Sequence, residues 1–516
     1  MRLAPPERAI LIWELTASYG LIHEAVPITT PGTAWLAYDD WGPPALTPDT
    51  LYHWRFTFTP SGGSTVYGAD QAFRTLPDGR VTIGQGQAAA CTESAFNSAL
   101  AAAKEILFDC GPLPITITLS SAHSIASNLT INGGNKVTLA SSGAGNHFNV
   151  QTGAHLTLMQ ITLSDGLNTT DCGGSIKVLT GAQLTLNDTR FVNNTSYAEG
   201  GAVCNWGSAD ISATLFKNNS SYSHGGAIGN YGTLSVTDSK FMGNTATYNG
   251  GGIDMGGIVT VTNSTFISNT GLRGGGINSY GGTLNVVGSS FISNIATYYG
   301  GGLANDASTT TVSGSTFSDN SSATFGGGME TSAPGSLTLI NSTVSANHAT
   351  TDGGGLYWYP GVGTGPIYVV NGTIANNVAG TEGGNIHVGG VGVYNASIHV
   401  LNTIVGSGSP NNCSGTLQSF GNNLENTNTC GLTTAGDKRD VNPKLGPLQD
   451  NGGATWTRAL LFGSPAIDAG NDPDCPATDQ RGVARPIDGN RDGSAVCDIG
   501  AVEAPPPQVF LPSVRK

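Results

Sequence analysis

The 516-residue chain carries 21 Lys and Arg against 35 Asp and Glu, a formal charge of −14, and has no basic run. That charge pattern lacks the electrostatic footprint a phosphate backbone requires and excludes nucleic acid as an expected partner. Charged residues make up 11%, Gly numbers 75, and 38% is hydrophobic, a bias that suits many tight turns on an apolar interior better than disorder. No stretch reaches the 18 or so apolar residues of a membrane-spanning helix.

In chain order, Ala9-Ile10-Leu11-Ile12-Trp13 is a short apolar run broken by Glu14, too short for a signal peptide, so the true start is expected upstream of Met1. Residues 46 to 75 resemble the closing strands of a fibronectin type III domain, with Leu46, Pro48 and Tyr52 matching its tyrosine corner. Only 45 residues precede that motif, so residues 1–78 are expected to form a partial β-sandwich of this type. Thr92 to Leu107 reads as an amphipathic helix with Thr92 as N-cap, expected to cover the open end of the next domain. Ile115-Thr116-Ile117-Thr118-Leu119 then begins its strands.

From residue 150 to about 405 the chain repeats. A Phe-x-x-Asn pair recurs as Phe191/Asn194, Phe216/Asn219, Phe241/Asn244, Phe266/Asn269, Phe291/Asn294 and Phe317/Asn320, then as Val344/Asn347 and Ile374/Asn377. The steps are 25, 25, 25, 25, 26, 27 and 30 residues. A Gly-Gly-x-aliphatic column ends at Val203, Ile228, Ile253, Ile277, Leu303, Met329, Leu356 and Ile386, and an alternating apolar pair such as Leu234/Val236 precedes each anchor. These segments are too short for helices and read as strands. One unit cannot bury its apolar residues alone, whereas stacked coils place Phe on Phe and aliphatic on aliphatic. The expected fold is therefore all-β, a right-handed parallel β-helix over residues 79–405 with its capping helix near 92–107. The Asn column is read as turn amides bonded between coils.

Gly-Gly-Ala/Gly-Ile together with Phe-x-x-Asn resembles the repeat of the chlamydial polymorphic outer-membrane proteins and the wider pectin-lyase-like superfamily of bacterial secreted β-helix proteins. That resemblance implies fold more strongly than activity, since the superfamily contains adhesins, polysaccharide lyases and hydrolases. Residues 406–504 depart from the repeat. Ser464-Pro465-Ala466-Ile467-Asp468-Ala469-Gly470, Asp479-Gln480-Arg481-Gly482 and Cys497-Asp498-Ile499-Gly500 resemble the C-terminal choice-of-anchor module of bacterial surface proteins. Pro505-Pro506-Pro507 opens a stiff spacer and tail, 505–516.

Eight cysteines fall as four sequence-local pairs, Cys91 and Cys110, Cys172 and Cys204, Cys413 and Cys430, Cys475 and Cys497. An even count in such a chain favours disulfides and an extracellular or cell-surface location, although eight cysteines allow on the order of 100 connectivities. Asp488, Asn490 and Asp492, with Asp498 further on, have the oxygen spacing of a calcium loop, but its twelfth position is Ile499 rather than Glu. An ordinary Asp/Gly turn is the alternative.

Tyr197, Tyr222, Tyr248, Tyr298 and Phe325 each follow an Asn anchor and are expected to form a surface ridge suited to sugars or a protein. Trp206, Tyr231, Tyr280 and Trp358 suggest a second row. Asp254 and Glu330 follow the aliphatic column and face outward, but they stand three coils apart, about 14 Å by strand spacing, wider than a glycosidase carboxylate pair. Asn278 and Ala304 lie between them. The sequence thus points to a non-enzymatic surface or secreted protein for adhesion, envelope or polysaccharide contact, with a polysaccharide lyase or hydrolase, or a ligand-free spacer, as alternatives.

Overall fold

The computed structural model describes residues 79–506 apart from 144, 364, 391–396 and 416, and before them little beyond the backbone of five strands. Two units are distinguished, residues 1–82 with 98–106, and residues 83–97 with 107–516. In the first, Glu7–Glu14 pairs antiparallel with Leu21–Ile28 on one side and with Leu51–Thr59 on the other. Leu51–Thr59 also pairs with Val66–Tyr67 and Gln71–Arg74. Leu46 and Pro48 of the expected tyrosine corner, and the side chain of Tyr52, fall outside the described residues.

The second unit is a parallel β-solenoid of about 13 turns. A representative coil has strands Thr233–Thr237, Lys240–Met242, Thr245–Ala246 and Ile253–Met255. Each pairs in parallel with its counterpart in the next coil. Strand alternation turns Leu234, Val236, Phe241 and Ile253 inward, where all are buried. The Phe rings stack coil on coil, with centroids 5.0, 4.8, 4.5, 4.7 and 4.4 Å apart from Phe191 to Phe317. The sharp bend before the Ile253–Met255 strand explains the glycines. Gly250 has φ +67°, and a Cβ there would meet the carbonyl oxygen of Ile253 at 2.4 Å, so no other residue fits without shifting backbone.

The Asn column is a continuous amide ladder. Asn244 is fully buried, and its Oδ1 accepts from the backbone N–H and side-chain amide of Asn219 at 3.0 and 2.9 Å. Its own amide donates to Asn269 Oδ1 at 2.8 Å and to the carbonyl of Phe216 at 3.1 Å. The same pattern runs from Asn194 to Asn377 and passes through Asn385 and Asn412 to Glu425. Glu425 occupies the next position of the Phe column after Val405. Its buried carboxylate accepts from the backbone N–H groups of Thr429 and Cys430, and there the apolar stack ends.

Three expectations need correction. The helix spans Glu93–Ala102, with Thr92 Oγ1 accepting from Ala95 N–H at 3.2 Å. It does not reach Leu107, because Glu105–Phe108 is a strand. Phe96 is buried against Phe108, His123 and Phe148. The ladder also runs past residue 405, through Cys413–Ser414 and Leu417–Ser419 to Leu424–Glu425, because aliphatic side chains such as Leu417 and Leu424 still fill the interior after the Gly spacing is lost.

The remaining residues do not stand apart as a module. They run back along one corner of the solenoid, from Asn402, which bonds Asn471, past Thr373 and Ala501, to Gly314 and Thr455. Buried Gln480 bonds Ser315, Thr316 and Thr343. Ile499 packs with Ile404, Leu424 and Ala466. All four cysteine pairs are disulfides, Cys91–Cys110, Cys172–Cys204, Cys413–Cys430 and Cys475–Cys497.

Replacing Asn269 by Ala removes one rung of the amide ladder and leaves buried groups of Asn244 and Phe241 unpaired. At roughly 1 to 3 kcal/mol for each unsatisfied group, urea unfolding is expected to show a loss of about 3 kcal/mol or more. That is comparable to the roughly 3 to 5 kcal/mol expected for Phe266→Ala.

Candidate functional site

The outer face of the glycine-turn sheet holds the buried carboxyls Asp254 and Glu330 and the buried Tyr357. Its central column runs in register through Lys177, Cys204, Gly229, Asp254, Asn278, Ala304, Glu330, Tyr357, His387 and Ser414. Two residues further along each strand is a flanking column of Trp206, Tyr231, Gly256, Tyr280, Asp306, Ser332 and Tyr359. The residue just before each glycine pair forms a third column, namely Cys172, Glu199, His224, Asn249, Arg273, Tyr299, Phe325, Asp352 and Glu382.

One rule relates the third column to the first, since the glycine bend folds each such residue over the central residue of the following coil. Cys172 is bonded to Cys204. Glu199 Cβ lies 3.0 Å from where a Cβ on Gly229 would stand. His224 Nδ1 is 4.0 Å from Asp254 Oδ2, the ring of Phe325 stacks on Tyr357 at 4.5 Å, and Ser414 Oγ donates to Glu382 at 2.6 Å. This cover explains why Asp254 and Glu330, both outward-facing, are only 2% exposed.

Burial dominates the electrostatics. It pushes the Asp254 carboxyl up to about 8, against a hydrogen bond from Asn278 Nδ2 at 2.7 Å. Burial also lowers His224, so near neutral pH neither partner is charged and their 4.0 Å approach is not an ion pair. Glu330 is pushed up to about 8 by burial and by the nearby Asp306. Ser332 Oγ stands 2.5 Å from Asp306 Oδ1 and 2.6 Å from Glu330 Oε1. A hydroxyl has one proton, so the second contact must use the proton of Glu330, giving a relay from Glu330 through Ser332 to Asp306. Arg273 Nη1 pairs with Asp306 Oδ2 at 2.5 Å, and its guanidinium lies 5.2 Å from the centroid of Tyr299.

The partner of Glu330 is thus Asp306, not Asp254, and a basic residue, Arg273, does reach the site from the neighbouring column. Forward counting from the Asn anchors misses both, because the loops differ in length. Counting backward from each glycine pair and adding one coil places Arg273 over Ala304, and Asp306 lies two residues past Ala304 on its strand.

The expected tyrosine ridge divides among three positions. Tyr197 and Tyr222 pair with ring centroids at 4.6 Å. Tyr248 and Tyr298 sit one residue further along, where they contact His224 and Tyr299. Phe325 belongs to the Tyr299 column, to which it bridges. In the second row Trp206 stacks on Tyr231 at 4.0 Å, and Gly256 makes room for Tyr280. Trp358 is buried in the interior instead, and Tyr359 takes the row position.

In the Asp488–Asp492 turn the side-chain oxygens accept backbone N–H bonds. Asp488 accepts from Asp492 and Gly493, Asn490 from Asp492, and Asp492 from Ser494. Asp498 does not join them, because its oxygens accept from Asp468 and Ala504. Among the described residues no group of three or more His, Cys, Asp or Glu is placed to hold a metal ion.

Both raised carboxyls bind protons more tightly folded than unfolded, so they contribute stability at low pH that is lost as pH rises from about 4 to about 8. Urea midpoints are expected to fall across that window, by up to about 1.4 kcal/mol per pH unit per group. Glu330→Gln and Asp254→Asn are each expected to flatten the slope.

Residues 213–231, from the turn before Phe216 through Asn219 and Gly225-Gly226 to Tyr231, match the Chlamydia polymorphic membrane protein repeat. Neither the curated proteins nor the solved structures give a match. The solenoid thus carries, over these residues, a repeat similar to that of the Chlamydia polymorphic membrane proteins.

Proposed function

We propose that this chain is a non-enzymatic, surface-displayed β-helix that binds a polysaccharide or similar envelope component through the outer face of its glycine-turn sheet. The observation that carries the reading is the in-register row of aromatic and polar side chains along that face, with Trp206, Tyr280 and Tyr359 exposed. Exposed aromatic surfaces of this kind mark binding sites. The polymorphic membrane protein repeat supports a place at the cell surface, and four disulfides support an oxidising compartment. No helix among the described residues is long and apolar enough to cross a membrane.

A second reading, glycan hydrolysis, has one specific observation behind it. Ser332 ties Asp306 to Glu330, so their nearest oxygens lie within about 5 Å, the range of paired glycosidase carboxyls. Against it, Glu330 gives its proton to Ser332, whereas an acid catalyst must give it to the leaving oxygen.

Incubating purified protein with immobilised bacterial and plant polysaccharides separates the two. Binding without release of reducing ends or unsaturated products is expected, with at least tenfold weaker retention for the triple variant Trp206→Ala, Tyr280→Ala, Tyr359→Ala. Sustained turnover would establish the second reading instead.

A further inference from the structure

The central column is bulky or polar on both sides of Ala304, where it drops to a single methyl between Asn278 and Glu330. By the covering rule, the residue folded over Ala304 is Arg273. Its guanidinium crosses from the bend to the flanking column and pairs with Asp306, on the same strand as Ala304. The floor of this spot is therefore a methyl group and its roof is an ion pair whose side chains are 34% and 21% exposed. Along the column its walls are Asn278 and Glu330.

Those two walls hold buried atoms without a hydrogen-bond partner, Asn278 Oδ1 and Glu330 Oε2. Unpaired buried polar atoms are rare and costly, and two of them flank Ala304. Asn278 spends its amide N–H on Asp254, and Glu330 spends its proton on Ser332, so both remaining atoms are acceptors. A ligand seated here must bring donors. An ammonium group would meet the Arg273 guanidinium, whereas a hydroxyl group would not be repelled.

The surroundings add shape and charge. Tyr280 and Tyr359 stand exposed in the flanking column on either side of Asp306 and Ser332, three rungs or about 14 Å apart. They offer ring faces at both ends of a polar centre. From the coil of Asp254 to that of His387, Arg273 is the one Lys or Arg of the three columns, and it is already paired with Asp306. Glu199, Asp352 and Glu382 border the same face, and the whole chain carries −14. An anionic chain would find no free cation and several carboxylates.

We propose that the spot over Ala304 is a sugar subsite, and that it takes a hydroxyl-bearing unit of an uncharged glycan, with the neighbouring units resting on Tyr280 and Tyr359. This rests on the binding reading above and narrows it to a neutral rather than a uronate polymer. Arg273 and Asp306 form the lip, their side chains 34% and 21% exposed. A hydroxyl pair donates to Asn278 Oδ1 and Glu330 Oε2, and the relay through Ser332 keeps the Glu330 carboxyl neutral and fixed. The charged and titratable groups facing Glu330 are Asp306 and Arg273 from the flank and the bend, Tyr299 above it, and Tyr357 on the next strand, with Asp352 and His387 beyond.

Calorimetric titration of the full chain with cellohexaose, mannohexaose and hexagalacturonic acid tests this. At least one neutral hexamer is expected to bind, at least tenfold more tightly than hexagalacturonic acid. Ala304→Leu, which fills the floor, is expected to weaken that binding at least tenfold while leaving the circular dichroism spectrum unchanged. Tyr359→Ala, an exposed change that poses no folding risk, is expected to weaken it several-fold, and Phe462→Ala, an equally exposed change in the C-terminal segment, is expected to leave it unaltered.

The subsite is overturned if no neutral hexamer binds, if the uronate binds as tightly, or if neither Ala304→Leu nor Tyr359→Ala weakens binding. In those cases retention of the wild type on immobilised polysaccharide would leave the binding function standing. Loss of that retention as well would remove both.

Discussion

A turn buried between coils cannot leave its backbone amides unpaired, and in this solenoid the Asn side chain of each coil supplies the partner for the coil before it. From Asn219 to Asn377 each side-chain oxygen takes two N–H groups from the preceding Asn, and each side-chain amide is passed on to the next. Such a chain works only if every coil has the same register, since a slip of one residue would move an amide from the turn into the apolar stack. The Phe stack beside it has the same requirement. Satisfied amides and stacked rings therefore fix one register between them, and the columns on the outer surface inherit it.

That inheritance is what creates the candidate site. The glycine bend folds the residue before it onto the following coil, so side chains far apart in sequence become neighbours. Arg273 and Asp306, or Asp352 and His387, meet because the bend repeats, not because either segment is unusual. The same cover that assembles the groups also removes them from water, and removal from water dominates their protonation. Neutral Asp254 and Glu330 cost less to bury than ionised ones. The Ser332 relay then holds the Glu330 proton toward Asp306, so the site combines a fixed neutral acid, an ion pair and ring faces. Those are the elements of a surface that recognises an uncharged polar ligand.

The end of the solenoid follows from the same constraint. Where the aliphatic supply runs out, Glu425 enters the core column and gathers backbone donors that would otherwise be unpaired. The residues after it return along the Ser/Thr corner, where Gln480, Arg458 and Thr455 bond the turn groups of Ser315, Ser345 and Gly314. A segment that reads as a separate module is by this measure an edge cover for the later coils.

The sequence alone determined the repeat, its Phe, Gly and Asn columns, and the outward position of Asp254 and Glu330, whereas the cysteine connectivity was decided by the fold. These are period-based properties, and a period is visible in one dimension. Tertiary structure decided which residues share the site. Whether Phe325 joins Tyr298 or Tyr299, and whether Glu330 answers to Asp254 or Asp306, depends on how far each bend folds back over the next coil. That displacement comes from left-handed glycine geometry and close backbone contact, and the loops between anchor and glycine pair, four residues before Gly274 and five in the other coils, absorb it differently. The raised carboxyls, the cover over Ala304 and the two unpaired oxygens beside it exist only because one coil lies on another.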